Sequence, residues 1–199
     1  MVGPNGAGKS TFVRLVVLPA WPAATFVNAD EIAAVRWPDA VSDHAYEAAR
    51  IAADTRARLI GLGRPFIAET VFSHPSKLDL LRDAALAGYF VALHVLMVPE
   101  DLAAARVASR VAAGGHDVPV DKIRQRWRRL WPLVGDAVPL ADSATFWDNS
   151  RHDGPDVVAM FVGGVPVGSP AWPAWTPDAL VRRWPPDGSP AAGAPAGGQ

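Results

Sequence analysis

Gly3-Pro4-Asn5-Gly6-Ala7-Gly8-Lys9-Ser10-Thr11 is the stretch that decides the fold. Glycines at 3, 6 and 8 tolerate positive φ and close approach of a ligand, so backbone N–H groups can turn inward around an anion. A lysine directly after the last glycine can reach β- and γ-phosphates, and the hydroxyl after it suits Mg²⁺. This is the P-loop pattern G-x-x-x-x-G-K-[ST], which should join a buried strand to a helix. It makes Gly3, Pro4, Asn5, Gly6, Ala7, Gly8, Lys9, Ser10 and Thr11 the candidate nucleotide-binding residues, Ser10 the candidate metal ligand and Lys9 a candidate catalytic group. Taken alone, the same residues also read as an ordinary glycine-rich turn. The helix follows as Thr11 to Leu18 and is stopped by Pro19 and Pro22. The strand has almost no room, because only Met1 and Val2 precede Gly3. The first strand is therefore expected to be truncated and the loop poorly anchored.

Outward from the loop, short apolar runs alternate with helical patterns. Thr25–Asn28, Pro65–Ala68, Tyr89–Val98 and Thr145–Trp147 read as strands. Helices are expected over 31–37, from Ser42 or Asp43 to about Leu62, and over 76–87, 99–113 and 121–133. Val157–Val162 and Val165–Val167, joined by Gly163-Gly164, form a hairpin. Alternation of buried strands with helices predicts an α/β fold, a parallel sheet flanked by helices. Chemistry in such sheets gathers at the carboxyl ends of the strands. Those ends carry Asp30, Glu69-Thr70 and Asp148-Asn149. Residues 1–168 form one kinase-like domain in this reading. Residues 169–199, rich in Pro, Gly, Ala and Trp, form a largely disordered tail. Trp172, Trp175 and Trp184 are expected to pack on the domain surface.

The chain of 199 residues has a net charge of −1 and is half hydrophobic. That balance argues against general binding to nucleic acid or to a membrane surface. No cysteine is present, which removes disulfides, thiolate metal sites and a cysteine nucleophile. No signal peptide is visible ahead of the loop, and a cytoplasmic location is expected. The longest apolar run, 89–98, is too short to span a bilayer as a helix.

Transfer of a phosphoryl group to a hydroxyl needs a phosphate cradle, a metal, a base near the acceptor and positive charge on the migrating group. Asp30 is the base candidate, although it could instead cap the helix at Glu31. Glu69 and Thr70 are candidates for holding the acceptor, and Glu69 could instead assist Mg²⁺. Arg106 and Arg110 on one helix, and Arg124, Arg126 and Arg128 on the next, supply positive charge or simply a solvated basic face. The glycine-rich loop between those helices gives them the layout of a lid, and His116 within it is a candidate substrate contact. Asp148-Asn149 reads as a turn, with an adenine- or metal-side role as the alternative, and His94 as a core histidine.

Several segments match one known family in order: residues 3–11, Val-Asn-Ala-Asp-Glu-Ile-Ala at 27–33, Phe-Ile-Ala-Glu-Thr at 66–70, the lid segment 106–119 and Trp-Asp-Asn-Ser at 147–150. Over residues 1 to about 165 the chain resembles the zeta-toxin-like P-loop kinases, in the branch often described as ABC-type ATPases. That resemblance implies ATP and Mg²⁺, phosphorylation of a hydroxyl of a small molecule such as UDP-N-acetylglucosamine, and a small antitoxin as partner. It implies phosphate and metal binding by Lys9 and Ser10, a base at Asp30 and an acidic substrate contact at Glu69. It also implies lid arginines at Arg110 and at one of Arg124 and Arg126. Where the toxins carry a second lid arginine, this sequence offers His116 or nothing. A plain P-loop ATPase is the competing enzyme reading, although there is no Leu-Ser-Gly-Gly-like signature and no apolar strand ending in Asp-Glu. A degenerate, non-catalytic nucleotide binder lacking its first strand is the alternative from another class.

Overall fold

A computed structural model describes residues 1–112 and 119–186. Helix α1 (Lys9–Phe12) runs through a wider π-helical stretch, Val13–Val17, into α2 (Leu18–Ala20). Next come β1 (Thr25–Val27), α3 (Ala29–Arg36), α4 (Ala45–Gly61), β2 (Phe66–Ala68), α5 (Ser76–Leu86) and β3 (Ala92–Met97). The helix pair α6 (Glu100–Ala112) and α7 (Val120–Ala137) follows, then β4 (Ser143–Asp148), β5 (Asp156–Val162), β6 (Val165–Pro166) and α8 (Asp178–Val181).

β1 pairs with β2 in parallel, and β3 pairs with β4 in parallel; β5 and β6 then extend that edge as antiparallel strands. Met1 and Val2 join the two halves. Val2 bridges Thr70 on one side and Val95 on the other, both in parallel. The Met1 ammonium donates to Ala68 O at 2.8 Å, and Thr70 N donates to Met1 O at 3.1 Å. On the other flank, Val2 N donates to His94 O and Leu96 N to Val2 O, each at 2.8 Å. Among the described residues, Met1 and Val2 occupy the centre of the sheet. The loop is not poorly anchored as expected: four main-chain hydrogen bonds on two flanks hold the residues that lead into Gly3. Below this plug the sheet opens into an apolar cavity of about 120 Å³, lined by Phe66, Ala68, Leu81, Ala84 and Leu93 among others.

From Val95 to Met97, β3 is buried on both faces of the sheet, as its apolar sequence there requires. Leu93, Val95 and Met97 belong to one core with Leu78 and Leu81 of α5 and Leu130, Trp131 and Val134 of α7. Leu96 faces the opposite core, where Ala7, Phe12 and Val13 seat the P-loop helix. The alternation follows from the two-residue period of a strand. Helix α3 starts two residues earlier than expected because Asn28 caps it: its Oδ1 accepts from Asp30 N at 2.8 Å and from Glu31 N at 3.3 Å. Helix α4 begins at Ala45 behind His44, whose ring stacks on Trp37 at 4.4 Å. Helix α7 runs past the expected end and carries Pro132 in its interior, where Leu130, Trp131 and Val134 lock it to the core. Trp172 and Trp184 pack on Phe146 and Phe161, and Leu180 of α8 is fully buried. Trp172, Trp175 and Trp184 are partly buried and pack against that core from outside it, as expected. Among the described residues no helix is long and apolar enough to cross a membrane.

Candidate functional site

The parallel strands all end at one edge of the sheet. Val2 leads into the P-loop, β1 into Asn28, β2 into Glu69 and β4 into Asn149. The loop itself depends on its glycines. Gly6 has φ +75°, and a Cβ there would stand 2.5 Å from Ala103 O. Gly8 has φ +86° and would meet Asn149 Nδ2 at 2.8 Å. Those contacts arise because α6 and Asn149 brace the loop from behind. Asn149 Nδ2 donates to Ala7 O at 2.8 Å, and Arg106 Nη1 donates to Asn149 O at 2.9 Å. Asp148 accepts from Ser150 N and so makes a turn, whereas Asn149 supports the loop.

Lys9 is buried and spans the concave side of the loop, with Nζ donating to Pro4 O at 2.9 Å and lying 4.0 Å from Glu69 Oε1. Burial pushes its ammonium below the usual lysine range; Glu69 and Asp30 oppose that shift and Arg110 adds to it. Glu69 joins three elements. Its Oε1 accepts from Ser10 Oγ at 3.1 Å, and its Oε2 accepts from Asn28 Nδ2 at 2.8 Å. Asn28 therefore both caps α3 and orients the carboxylate. Asp30 follows in the first turn of α3. Capping falls to Asn28, so the carboxylate of Asp30 is left without a hydrogen bond or ion pair among the described residues.

These groups line one cavity of about 830 Å³. Asn5, Gly6, Gly8, Lys9, Ser10 and Thr11 form one side, with Asp30, Glu69 and Thr70 adjoining; Gly3, Pro4 and Ala7 are buried behind the loop. Arg106 and Arg110 reach it from α6, and Lys122 and Arg126 from α7. Arg124 does not. It pairs with Asp101 at 2.8 Å and Glu100 at 3.5 Å, and Arg128 pairs with Glu100 at 3.2 Å. Arg124 and Arg126 stand two residues apart, about 200° around a helix, so only one can face the cavity. His116 lies outside the described residues. His94 is a core histidine that accepts from Trp147 Nε1 at 3.3 Å. The hard oxygen donors beside the loop, the Ser10 hydroxyl with Glu69 behind it, fit the coordination chemistry of Mg²⁺. Among the described residues no cluster of three or more His, Cys, Asp or Glu could hold a metal by itself.

The far wall of the cavity was not anticipated. It is formed by Ala45, Ala49, Ala52 and Arg56 of α4, by loop residues Val71 to His74, and by Lys77 of α5. Arg56 continues the alanine stripe one turn on. An arginine on an apolar helical stripe is a signal the sequence did contain. Asn28 was also legible, since Asn-x-x-Glu ahead of a helix is a capping pattern.

The family model described as an AAA domain matches residues 1–133. No curated protein matches the chain. Among solved structures, a chain of the AvrRxo1-ORF1:AvrRxo1-ORF2 crystal structure with sulphate ions is similar at a TM-score of 0.64 and 15% identity, over 83% of this chain and 59% of that one. The same pair crystallised with ATP gives a TM-score of 0.62 at 17% identity, over 83% and 59% of the two chains. A structure of the PezAT chromosomal toxin-antitoxin system of the human pathogen Streptococcus pneumoniae gives 0.59 at 13% identity, over 78% of this chain and 68% of that one. At such identities the likeness establishes the fold, a P-loop kinase-like α/β sheet. The chain spans about three fifths of the length of the AvrRxo1 chains it matches.

Proposed function

The chain belongs to the AAA domain family, and on that premise we propose that it transfers the γ-phosphoryl group of ATP to a hydroxyl of a small molecule. One observation carries the reading: Asp30 has an unpartnered carboxylate in the same cavity as the P-loop, and that cavity extends to a second wall. A plain ATPase needs room for a water; about 830 Å³ also holds a drug-sized acceptor. Asp30 takes the proton from the acceptor hydroxyl as the oxygen attacks in line. The loop amides and Lys9 hold the β- and γ-phosphates, and Glu69 fixes the Ser10 hydroxyl. Mg²⁺, held through Ser10, would supply charge neutralisation on those phosphates. Arg110 and Arg126 stabilise charge on the migrating group and, with α6 and α7 closed over it, keep water out.

The acceptor side is assigned to Glu69, Thr70 and, from the lid loop, His116. UDP-N-acetylglucosamine is the acceptor that the resemblance nominates. A small antitoxin covering the ATP site is the partner it nominates, and the matched neighbours are themselves described as a two-component complex and a toxin-antitoxin system. A screen of ATP consumption with nucleotide sugars, sugars and nucleosides tests the proposal. Stimulation of ADP release by a hydroxyl acceptor is expected. Equal ADP release with every acceptor omitted would identify a plain ATPase, and no nucleotide binding at all a degenerate binder.

A further inference from the structure

We propose that Asn28 is a positioning residue for both halves of the reaction: its amide oxygen keeps Asp30 available to the acceptor, and its amide nitrogen holds the carboxylate that orders the nucleotide side. This rests on the kinase reading above and adds a residue that acts through others. Asn28 is 6% exposed and follows β1 on the wall of the cavity. Val27 pairs with Ala68, which sets Asn28 alongside Glu69. The surroundings fix which amide atom is which. The main-chain N–H groups of Asp30, at 2.8 Å, and Glu31, at 3.3 Å, need the oxygen, and the Glu69 carboxylate, at 2.8 Å, needs the nitrogen. Turning the amide over would set donor against donor and acceptor against acceptor.

The oxygen governs Asp30. The first N–H groups of a helix have no partner within it and attract nearby carboxylates. Asp30 and Glu31 are the acidic side chains of the first turn of α3. Glu31 is held by Arg14, from the π-helical stretch after the P-loop. Asp30 is therefore the carboxylate that would turn back to the helix end if Asn28 ceased to cap it. A carboxylate bonded to N–H groups is a weaker base, and it would no longer face an acceptor. The nitrogen governs Glu69. Oε1 of Glu69 accepts from Ser10 Oγ at 3.1 Å and lies 4.0 Å from Lys9 Nζ. Oε2 has Asn28 Nδ2 as its donor. Without that charge-assisted bond the carboxylate is free to rotate, and Ser10 and Lys9 lose a fixed partner.

Two readouts separate the two atoms. Affinity for the non-hydrolysable analogue AMP-PNP with Mg²⁺ is measured by calorimetry. Turnover at saturating ATP is measured as ADP release, with the acceptor that stimulates it or with water alone. Asn28→Ala removes both roles, so affinity should fall about tenfold and turnover about 10²-fold. Asn28→Ser keeps a cap but is too short to serve Glu69. Its affinity should stay about tenfold down while turnover recovers about tenfold. Glu69→Gln already disturbs the shared bond, so adding Asn28→Ser to it should cost little further affinity. Turnover as low in Asn28→Ser as in Asn28→Ala, or losses of affinity in Asn28→Ser and Glu69→Gln that multiply, would overturn the proposal. If Asn28→Ala does not fold, the cycle of Asn28→Ser with Glu69→Gln decides it. An unaltered chain that neither binds AMP-PNP nor releases ADP would sink the kinase reading instead. Hydrogen exchange of the Asp30 amide, slow in the unaltered chain and in Asn28→Ser and fast in Asn28→Ala, then reads the capping half by itself.

Discussion

Single residues in the site do what neighbouring backbone forces on them. Asp30 is free because Asn28 caps α3, and Glu69 is fixed because Asn28 and Ser10 take one oxygen each. Glu69→Gln keeps the shape but exchanges one acceptor oxygen for an amide N–H, which cannot accept from both Ser10 and Asn28. It should weaken ATP binding and turnover together, whereas Asp30→Ala should touch only turnover. The glycines make an independent test. Gly6→Ala meets both a positive φ and Ala103 O at 2.5 Å, while Gly63→Ala meets a similar φ, +62°, with nothing within 4 Å. Urea midpoints should show at least about 2 kcal/mol lost for Gly6→Ala and about 1 kcal/mol for Gly63→Ala. Equal losses would mean that α6 does not press on the loop. Lys9, Ser10, Asp30 and Glu69 were legible in the sequence because each stands beside a strand end or inside a spaced motif. Arg56 was marked only as an arginine on an apolar helical stripe and Asn149 only as a turn residue, because their places in the site come from chain segments distant in sequence.

At the scale of elements, the sheet and its helices were legible from alternating apolar runs, and the lid from two helices bearing arginines. The choice between Arg124 and Arg126 was not, because it depends on which face of α7 meets α6, and Glu100 and Asp101 decide that. The centre of the sheet was also not legible, since two residues carry no periodicity. Met1 and His94 both lie there, and burial lowers the N-terminal ammonium from 8.0 to about 6 and the His94 imidazole from 6.5 to about 4. Both groups bind protons more readily in the unfolded chain, so stability should rise with pH from about 4 to 8, with the full cost of charging them present below pH 4. His94→Gln keeps an acceptor for Trp147 Nε1 and removes the titration. Urea midpoints of that variant should change less between pH 4 and 6.5 than those of the unaltered chain. An unchanged pH profile would mean that His94 does not carry this effect.

Across the whole molecule, one segment far from the site closes a core. Trp172 and Trp184 pack on Phe146, and Trp184 lies 4.6 Å from Phe161. Ending the chain after Gly168 would bare those rings and leave the pocket of Leu180 empty, at a cost of more than about 5 kcal/mol. Thermal unfolding of that truncation beside the unaltered chain tests this, and similar melting temperatures would refute the packing role. The site is set on this body at the edge where every parallel strand ends, with the P-loop on one wall, Arg56 on the other and Asp30 between them. The central claim concerns where the γ-phosphorus goes. It is tested most directly by ³¹P NMR of ATP turnover with the acceptor that stimulates it, for the unaltered chain and for Asp30→Ala. The account predicts a new phosphate monoester resonance on the acceptor with little inorganic phosphate, and in Asp30→Ala undiminished ATP affinity with monoester formation slowed about 10²–10⁴-fold. Appearance of the γ-phosphorus only as inorganic phosphate, or full monoester formation by Asp30→Ala, would contradict it.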